Sequence, residues 1–341
     1  MKTCCYYLTL LFVVFTINGC SNEIDVLADY QENAVVYGLL DPSQSIQFIK
    51  INKVFTNPNG SATDIAKISD SLYFDTLAPQ LVEIETGRIL KLYRANVLLK
   101  DSGVFANSPN YLYATKQKVY ARNPLNSSQI LNYRLELTLP STKRVITAIT
   151  NLPDSIIVSS PLTVRSQITP SIDFVPGKTF KIIYLSPTNS KISDAYFIFN
   201  YEEVNKLDTN IKIKKTIRWR LVNNVRTLDD KGGEQVNTTI ASSTFYDLLL
   251  ANISADANVF RRILLCRMEL TVGNIELDNY IQSSEPSIGI VQKQTEYTNI
   301  KSGIGIFASR RVTSYNSLQL GSSAKTALYT AIEYRSLGFV K

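Results

Sequence analysis

The residues able to do chemistry are few in kind. The chain has 29 Asp and Glu and four cysteines but no histidine. Without imidazole there is no Ser-His-Asp or Cys-His nucleophile, no His-ligated zinc or haem, and no imidazole pH switch. Common hydrolytic chemistry is then left to carboxylate pairs, which a glycosidase needs about 5–9 Å apart across a cleft. Three candidate pairs occur. Glu83 and Glu85, two residues apart, share one face of an extended strand, while Glu202-Glu203 and Asp229-Asp230 are adjacent. Such spacings arise by chance in so acidic a set, and solvated faces and turns are their expected role. Asp229 and Asp230 lack the spacing of an EF-hand calcium loop.

The other reactive or ligand-binding types read as structural. Cys266 alternates with Leu264, Met268, Leu270 and Val272, as a small buried hydrophobe does, and has no imidazole to activate it. Trp219 lies between Ile217 and Leu221 on the apolar parity of its segment, which points to core burial and not to a ligand platform. Tyr111, Tyr113 and Tyr120 are the remaining aromatic candidates, near a loop. Gly303-Ile304-Gly305 lacks the third glycine and the βαβ setting of a phosphate loop, so a close-packed strand or turn is expected. Gly321 to Thr326 ends in Lys325-Thr326 but lacks Walker spacing. The expectation is a non-enzymatic protein with no cofactor and no metal.

The N-terminus carries the sharpest motif. After Lys2, residues 6–17 are apolar except for Thr9 and Thr16. At 1.5 Å per residue this run covers about 18 Å, short of the ~30 Å hydrocarbon core of a bilayer. It reads as the apolar region of a secretory signal. It ends in Ile17-Asn18-Gly19-Cys20, which resembles the bacterial lipobox. That motif implies a diacylglycerol on the Cys20 thiol and cleavage just before it, so residues 1–19 read as a signal peptide. Ser21, where an Asp would favour the inner membrane, points to the outer membrane. Residues 20–33 carry Glu23, Asp25, Asp29 and Glu32 and no Lys or Arg, an acidic tether of the kind seen on surface-displayed lipoproteins of Bacteroidota. The expected location is the outer membrane, lipid-anchored and cell-surface exposed. Cys4 and Cys5 leave with the signal and Cys20 is acylated, so Cys266 is alone and no intramolecular disulfide forms.

The rest of the chain is mostly of period two. Residues 34–40 form an apolar run of strand length, and Gln47, Ile49 and Ile51 alternate with Ile46, Phe48 and Lys50. Tyr133, Leu135, Leu137 and Leu139 alternate with polar residues, and residues 144–150 return as the hairpin partner after Pro140-Ser141-Thr142. Residues 94–100 and 111–120 are further strands, and 56–79 are a polar excursion with one helical turn near 64–68. Pro153 and Pro161 mark a boundary. Beyond it, strands are expected at 180–185, 195–204, 211–222 and 262–272. Helices are expected at 243–253, capped by Ser243 or Thr244, at 276–283 and at 325–333. The fold class is mainly β: two antiparallel β-sandwich-like domains, the second with short helical insertions. The domains are an N-terminal β-sandwich at 34–152 and a C-terminal β-rich domain at 153–341.

One strand carries a charge pattern. In 211–222, Ile211, Ile213, Ile217, Trp219 and Leu221 fall on one parity, with Lys215 the exception, and Lys212, Lys214, Arg218 and Arg220 on the other, with Thr216 between them. One set should enter the core. The other is either a solvated sheet face balanced by neighbouring acids or a contact for an anionic partner such as lipid headgroups or an acidic receptor. The net charge of +7 is mild, and the compartment makes nucleic acid no partner.

Several segments together resemble a known group: Ala34-Val35-Val36-Tyr37-Gly38-Leu39-Leu40 after the tether, Ala95-Asn96-Val97-Leu98-Leu99, Tyr133-Arg134-Leu135-Glu136-Leu137, Thr147 to Pro153, and Tyr297 to Phe307. They are similar to a family of uncharacterised Bacteroidota outer-membrane lipoproteins, a domain of unknown function often associated with TonB-dependent receptors. The resemblance implies a surface-facing protein that binds a ligand or a partner, accessory to TonB-dependent nutrient uptake. It brings no catalytic residues. The alternatives are a carboxylate-dependent glycan hydrolase and an adhesion or envelope-structural protein. The anchor is directly testable: Cys20→Ala should give a soluble or unprocessed precursor on membrane fractionation, and a processed variant that stays on the membrane would refute lipidation at Cys20.

Overall fold

The alternating apolar residues build sheets throughout, and the computed structural model describes residues 32–54, 62–97, 109–161, 170–285 and 296–341. The first half contributes β1 (Ala34–Leu40), β2 (Gln47–Lys53), β3 (Gln80–Glu83), β4 (Ile89–Lys91), β5 (Tyr93–Asn96), β6 (Tyr111–Thr115), β7 (Arg122–Asn123), β8 (Asn126–Ile130), β9 (Asn132–Thr138) and β10 (Val145–Asn151). The second contributes β11 (Ile157–Ser160), β12 (Ser171–Ile172), β13 (Thr179–Leu185), β14 (Ile192–Asn205), β15 (Lys212–Arg226), β16 (Gln235–Ala241), β17 (Val259–Ile263), β18 (Cys266–Gly273) and β19 (Ile304–Leu320). The helices are α1 (Ala62–Ile65), α2 (Ser69–Leu72), α3 (Ser243–Asn252), α4 (Ile275–Ser284) and α5 (Ser322–Thr330), with a 3-10 turn at Ile332–Leu337. Strand far outweighs helix and most pairings are antiparallel, so the fold is mainly β and sandwich-like.

A ten-stranded sheet runs β15-β14-β18-β19-β1-β2-β6-β5, with β12 pairing to β19 and β17 to β14. A four-stranded sheet, β10-β9-β3-β4, covers the β1–β2–β6 end. Between them lie Val36, Ile49, Ile51, Leu81, Tyr133, Leu135 and Ile146, each almost fully buried. A three-stranded sheet, β11-β13-β16, and the helices α3 and α5 enclose the second core, where Phe174, Phe197, Phe199 and Phe245 pack ring on ring. Leu152 belongs to the first core and Ile156 to the second, so the chain changes core between them. It returns late: Ile300 and Phe307 are in the first core, while Leu318 and Leu320 are in the second. Strand β19 therefore serves both.

Two glycines permit that arrangement. Phe307 lies opposite Gly38 in the parallel β1–β19 pair, and a Cβ on Gly38 would sit 2.7 Å from its ring. Gly305 has φ +111°, and a Cβ there would fall 2.1 Å from the Val36 carbonyl oxygen. The expected close-packed glycine segment is thus the place where β19 enters the first sandwich.

Three local expectations need correction. Helix α3 has Ser242 as its N-cap residue and no side-chain cap, and the Thr244 hydroxyl instead donates back to the Ala241 carbonyl. The segment 262–272 is not one strand. It breaks at Leu264–Leu265 into β17 and β18, which pair end to end along β14. Ile211, just before β15, and Ile213 at its start do not join the core; they are 52% and 55% exposed, because this end lies beyond the apolar layer that covers Ile217 and Leu221.

The junction of the two cores is polar. Asn274 is fully buried at the end of β18. Its Nδ2 donates to Thr150 Oγ1 at 2.7 Å and toward the Asn151 carbonyl at 3.3 Å. Its Oδ1 accepts the N–H of Ser309 at 3.1 Å and of Leu277 at 3.2 Å, capping α4. Ser309 Oγ in turn donates to the Asn151 carbonyl. Asn274→Ala would strand several buried donors and acceptors at once, so it should lower stability by about 2–4 kcal/mol. The shift in urea midpoint measures this, and a shift near zero would show that water replaces the side chain.

Candidate binding groove

The chain passes directly from one sheet of the first sandwich to the other. Strand β4 is the edge of the four-stranded sheet, β5 is the edge of the ten-stranded one, and buried Leu92 joins them. The Leu92 N–H is taken by the Pro79 carbonyl at 3.2 Å, on the side away from β6. The Val97 N–H goes to the Asn110 carbonyl at 2.9 Å, on the β6 side. With a period of two, the N–H groups of Arg94 and Asn96 point outward, toward the free edge of β5.

A groove of about 820 Å³ opens along that edge. Its apolar lining includes Tyr93, Ile89 and Phe48, which are 68%, 49% and 43% exposed. Phe48 and Tyr93 both lie opposite Ala114, so the three form one cross-strand row. The charged lining is Lys91, Arg94 and Lys116, and no acid is among the described lining residues. Arg94 is held in place: its guanidinium sits 3.6 Å from the centroid of the Tyr111 ring. Lys91 and Lys116 have no hydrogen bond or ion pair among the described residues, so their charge is available. Gln80, also in the lining, donates its side-chain N–H to Glu136 at 3.0 Å.

The four cations singled out from sequence lie on β15, the opposite edge of the same sheet. All four are exposed. Arg220 pairs with Asp194 at 2.7 Å, and Arg218 pairs with Glu269 at 3.4 Å while its guanidinium stacks 3.9 Å above Tyr196. Lys212 and Lys214 make no ion pair among the described residues. Half of the stripe is thus balanced by acids of neighbouring strands, and half carries free charge. Cys20 lies outside the described residues.

Among the described residues, five of the six candidate carboxylates are engaged through their side chains, Asp230 being the exception. Strand β3 ends at Glu83, so Glu85 is in the following turn and not on a shared strand face. Glu83 is buried against Arg88 at 2.6 Å, Thr86 at 2.6 Å and the Tyr133 hydroxyl at 2.8 Å. Glu85 accepts two hydrogen bonds from Asn132. Glu203 binds Arg261 and Lys215, each at 2.7 Å, and Glu202 points to Arg262 at 3.9 Å. Asp229 closes its own turn on the Lys231 N–H, and the Asp230 carbonyl accepts from Asn189. Among the described residues no group of three or more Cys, Asp or Glu is placed to hold a metal. Cys266 is buried, and burial pushes its thiol up to about 11. Trp219 is packed against Phe174 and Phe180 in the second core. Of the tyrosine candidates, Tyr111 supports Arg94, whereas Tyr113 is buried.

Glu83 gives a pH test of its environment. Burial alone would raise its carboxyl, but hydrogen bonds from Arg88, Thr86 and Tyr133 hold it below the ordinary value of 4.5. A depressed carboxyl stabilises the fold above its unfolded value, and that contribution is lost as pH falls through the lower folded value. Glu83→Gln should therefore cost stability at neutral pH and progressively less below about pH 4. Urea midpoints across this range read the gap, and a gap independent of pH would refute the ionised assignment. No helix among the described residues is long and apolar enough to cross a membrane. No protein-family model matches the chain, and no curated protein matches it.

Proposed function

We propose that the protein is a lipid-anchored, surface-facing outer-membrane protein that binds a ligand or partner without chemical turnover, as an accessory to TonB-dependent nutrient uptake. The observation that carries binding is the groove along β5, with exposed aromatic and aliphatic side chains, three cations and no described acid. A pocket of this size with a few placed charges is an ordinary ligand site. Glycan hydrolysis needs two carboxyls facing a cleft. Of the candidate carboxylates, Glu83, Glu85, Glu202, Glu203 and Asp229 are each tied to a cation, a turn or an amide. The anchor at Cys20 and the surface location rest on the lipobox and the acidic tether. Lys212 and Lys214 offer a second, weaker contact for an anionic partner.

The groove reading has a direct test. Lys91→Glu with Lys116→Glu reverses its free charge without touching either core. Native lipoprotein, wild type and variant, would be isolated from membranes in mild detergent. We expect a stoichiometric partner or bound ligand with wild type, reduced at least about tenfold in the variant. Equal recovery with both would overturn the groove as the binding site. Release of reducing ends from a panel of polysaccharides by the wild type would overturn the non-enzymatic reading.

A further inference from the structure

The groove has a directional edge as well as a charge. Residues 93–97 line it consecutively, as they do only when a strand is seen edge-on. The outward N–H groups of Arg94 and Asn96 belong to an edge strand with no partner on that side among the described residues. An unpaired edge of this kind is a template for another strand. On one side of it lies the exposed Tyr93–Ala114–Phe48 row. On the other side is the four-stranded sheet, which contributes Ile89 and Lys91, with Arg94 on the same parity as Asn96.

From this juxtaposition we infer that the occupant is an extended acidic peptide segment of a partner protein, added as a strand to β5. The inference rests on the groove being the binding site. A strand added there alternates its side chains between the two sides. Around the groove these side chains meet the apolar Phe48, Ile89 and Tyr93 and the cationic Lys91, Arg94 and Lys116. The recognised segment therefore combines acidic and apolar residues. The edge Tyr93–Asn96 covers about 13 Å, enough for four or five residues of the added strand. Backbone hydrogen bonds supply registry, and the cations supply sign selectivity and on-rate.

The probe is a fluorescein-labelled peptide of three Glu-Val repeats, titrated with the folded protein and followed by anisotropy at low and high salt. Controls are the Lys-Val repeat, a Glu-Val repeat N-methylated at alternate residues, and oligogalacturonate as an anionic saccharide. We expect the Glu-Val peptide to bind and to weaken with salt. The Lys-Val and N-methylated forms should not bind. Lys91→Glu with Lys116→Glu should weaken binding at least about tenfold, with an unchanged circular dichroism spectrum. No binding of the Glu-Val peptide, or equal binding of its N-methylated form, overturns strand addition. If oligogalacturonate alone binds, and the charge-reversed variant loses it, the peptide inference falls while the groove keeps its role. If no probe binds and native partner recovery is equal with wild type and variant, both readings fall.

Discussion

Everything in this molecule hangs on one strand being shared by two cores, and one buried side chain holds it there. Strand β19 begins beside β1, in parallel, and ends beneath α5. Asn274 pins its middle through Ser309, while reaching Thr150 and Asn151 at the end of β10 and the first turn of α4. A buried amide has two donors and two lone pairs, and here they are spent on three separate elements. An apolar residue in its place would leave the junction of the sandwiches with unpaired polar groups and no compensating gain. The junction is thus specified by hydrogen-bond geometry, whereas the two cores on either side are specified by volume.

That junction places the groove and the basic strand at opposite edges of a single sheet. Among the described residues, neither edge is paired with a strand of the other half. At β15 the exposed cations partly neutralise against Asp194 and Glu269, which lowers their value as a contact and discourages edge-to-edge pairing. At β5 the free charge is kept and apolar rings stand exposed beside it. The two edges carry the same sign but different chemistry: half of one is balanced by neighbouring acids, while the other sets free charge beside exposed rings.

What the sequence made legible follows from how local each cause is. Alternation within one strand is local, so β9, β10, β14 and the opposite-parity cations of β15 could be read directly. Where β15 outruns its covering layer depends on the partner sheet, so the exposure of Ile211 and Ile213 could not. The groove cations are scattered at 91, 94 and 116, and only the β5–β6 pairing and the crossing at Leu92 unite them. Tyr111 was visible as a candidate aromatic, but its role beneath Arg94 was not. The cap of α5 shows the same limit. Asp173 accepts the N–H groups of Ser323 and Ala324 from 150 residues away, and a Cβ on Gly321 would overlap it. No local pattern announces such a cap.

The last acid of the tether is not free. Glu32 accepts the N–H groups of Ser141 and Thr142 at 3.1 and 3.0 Å, and its carbonyl accepts from Arg144. Under the anchoring proposed above, the body's attachment to the tether would therefore be fixed at the β9–β10 turn. Eleven residues, 21–31, separate Cys20 from Glu32 in the sequence, a contour of at most about 40 Å. Gln80 of the groove pairs with Glu136, five residues from that turn, so the groove rides within about 20 Å of it. With the proposed anchor at Cys20, the groove would lie at the end of the body nearer the point of attachment.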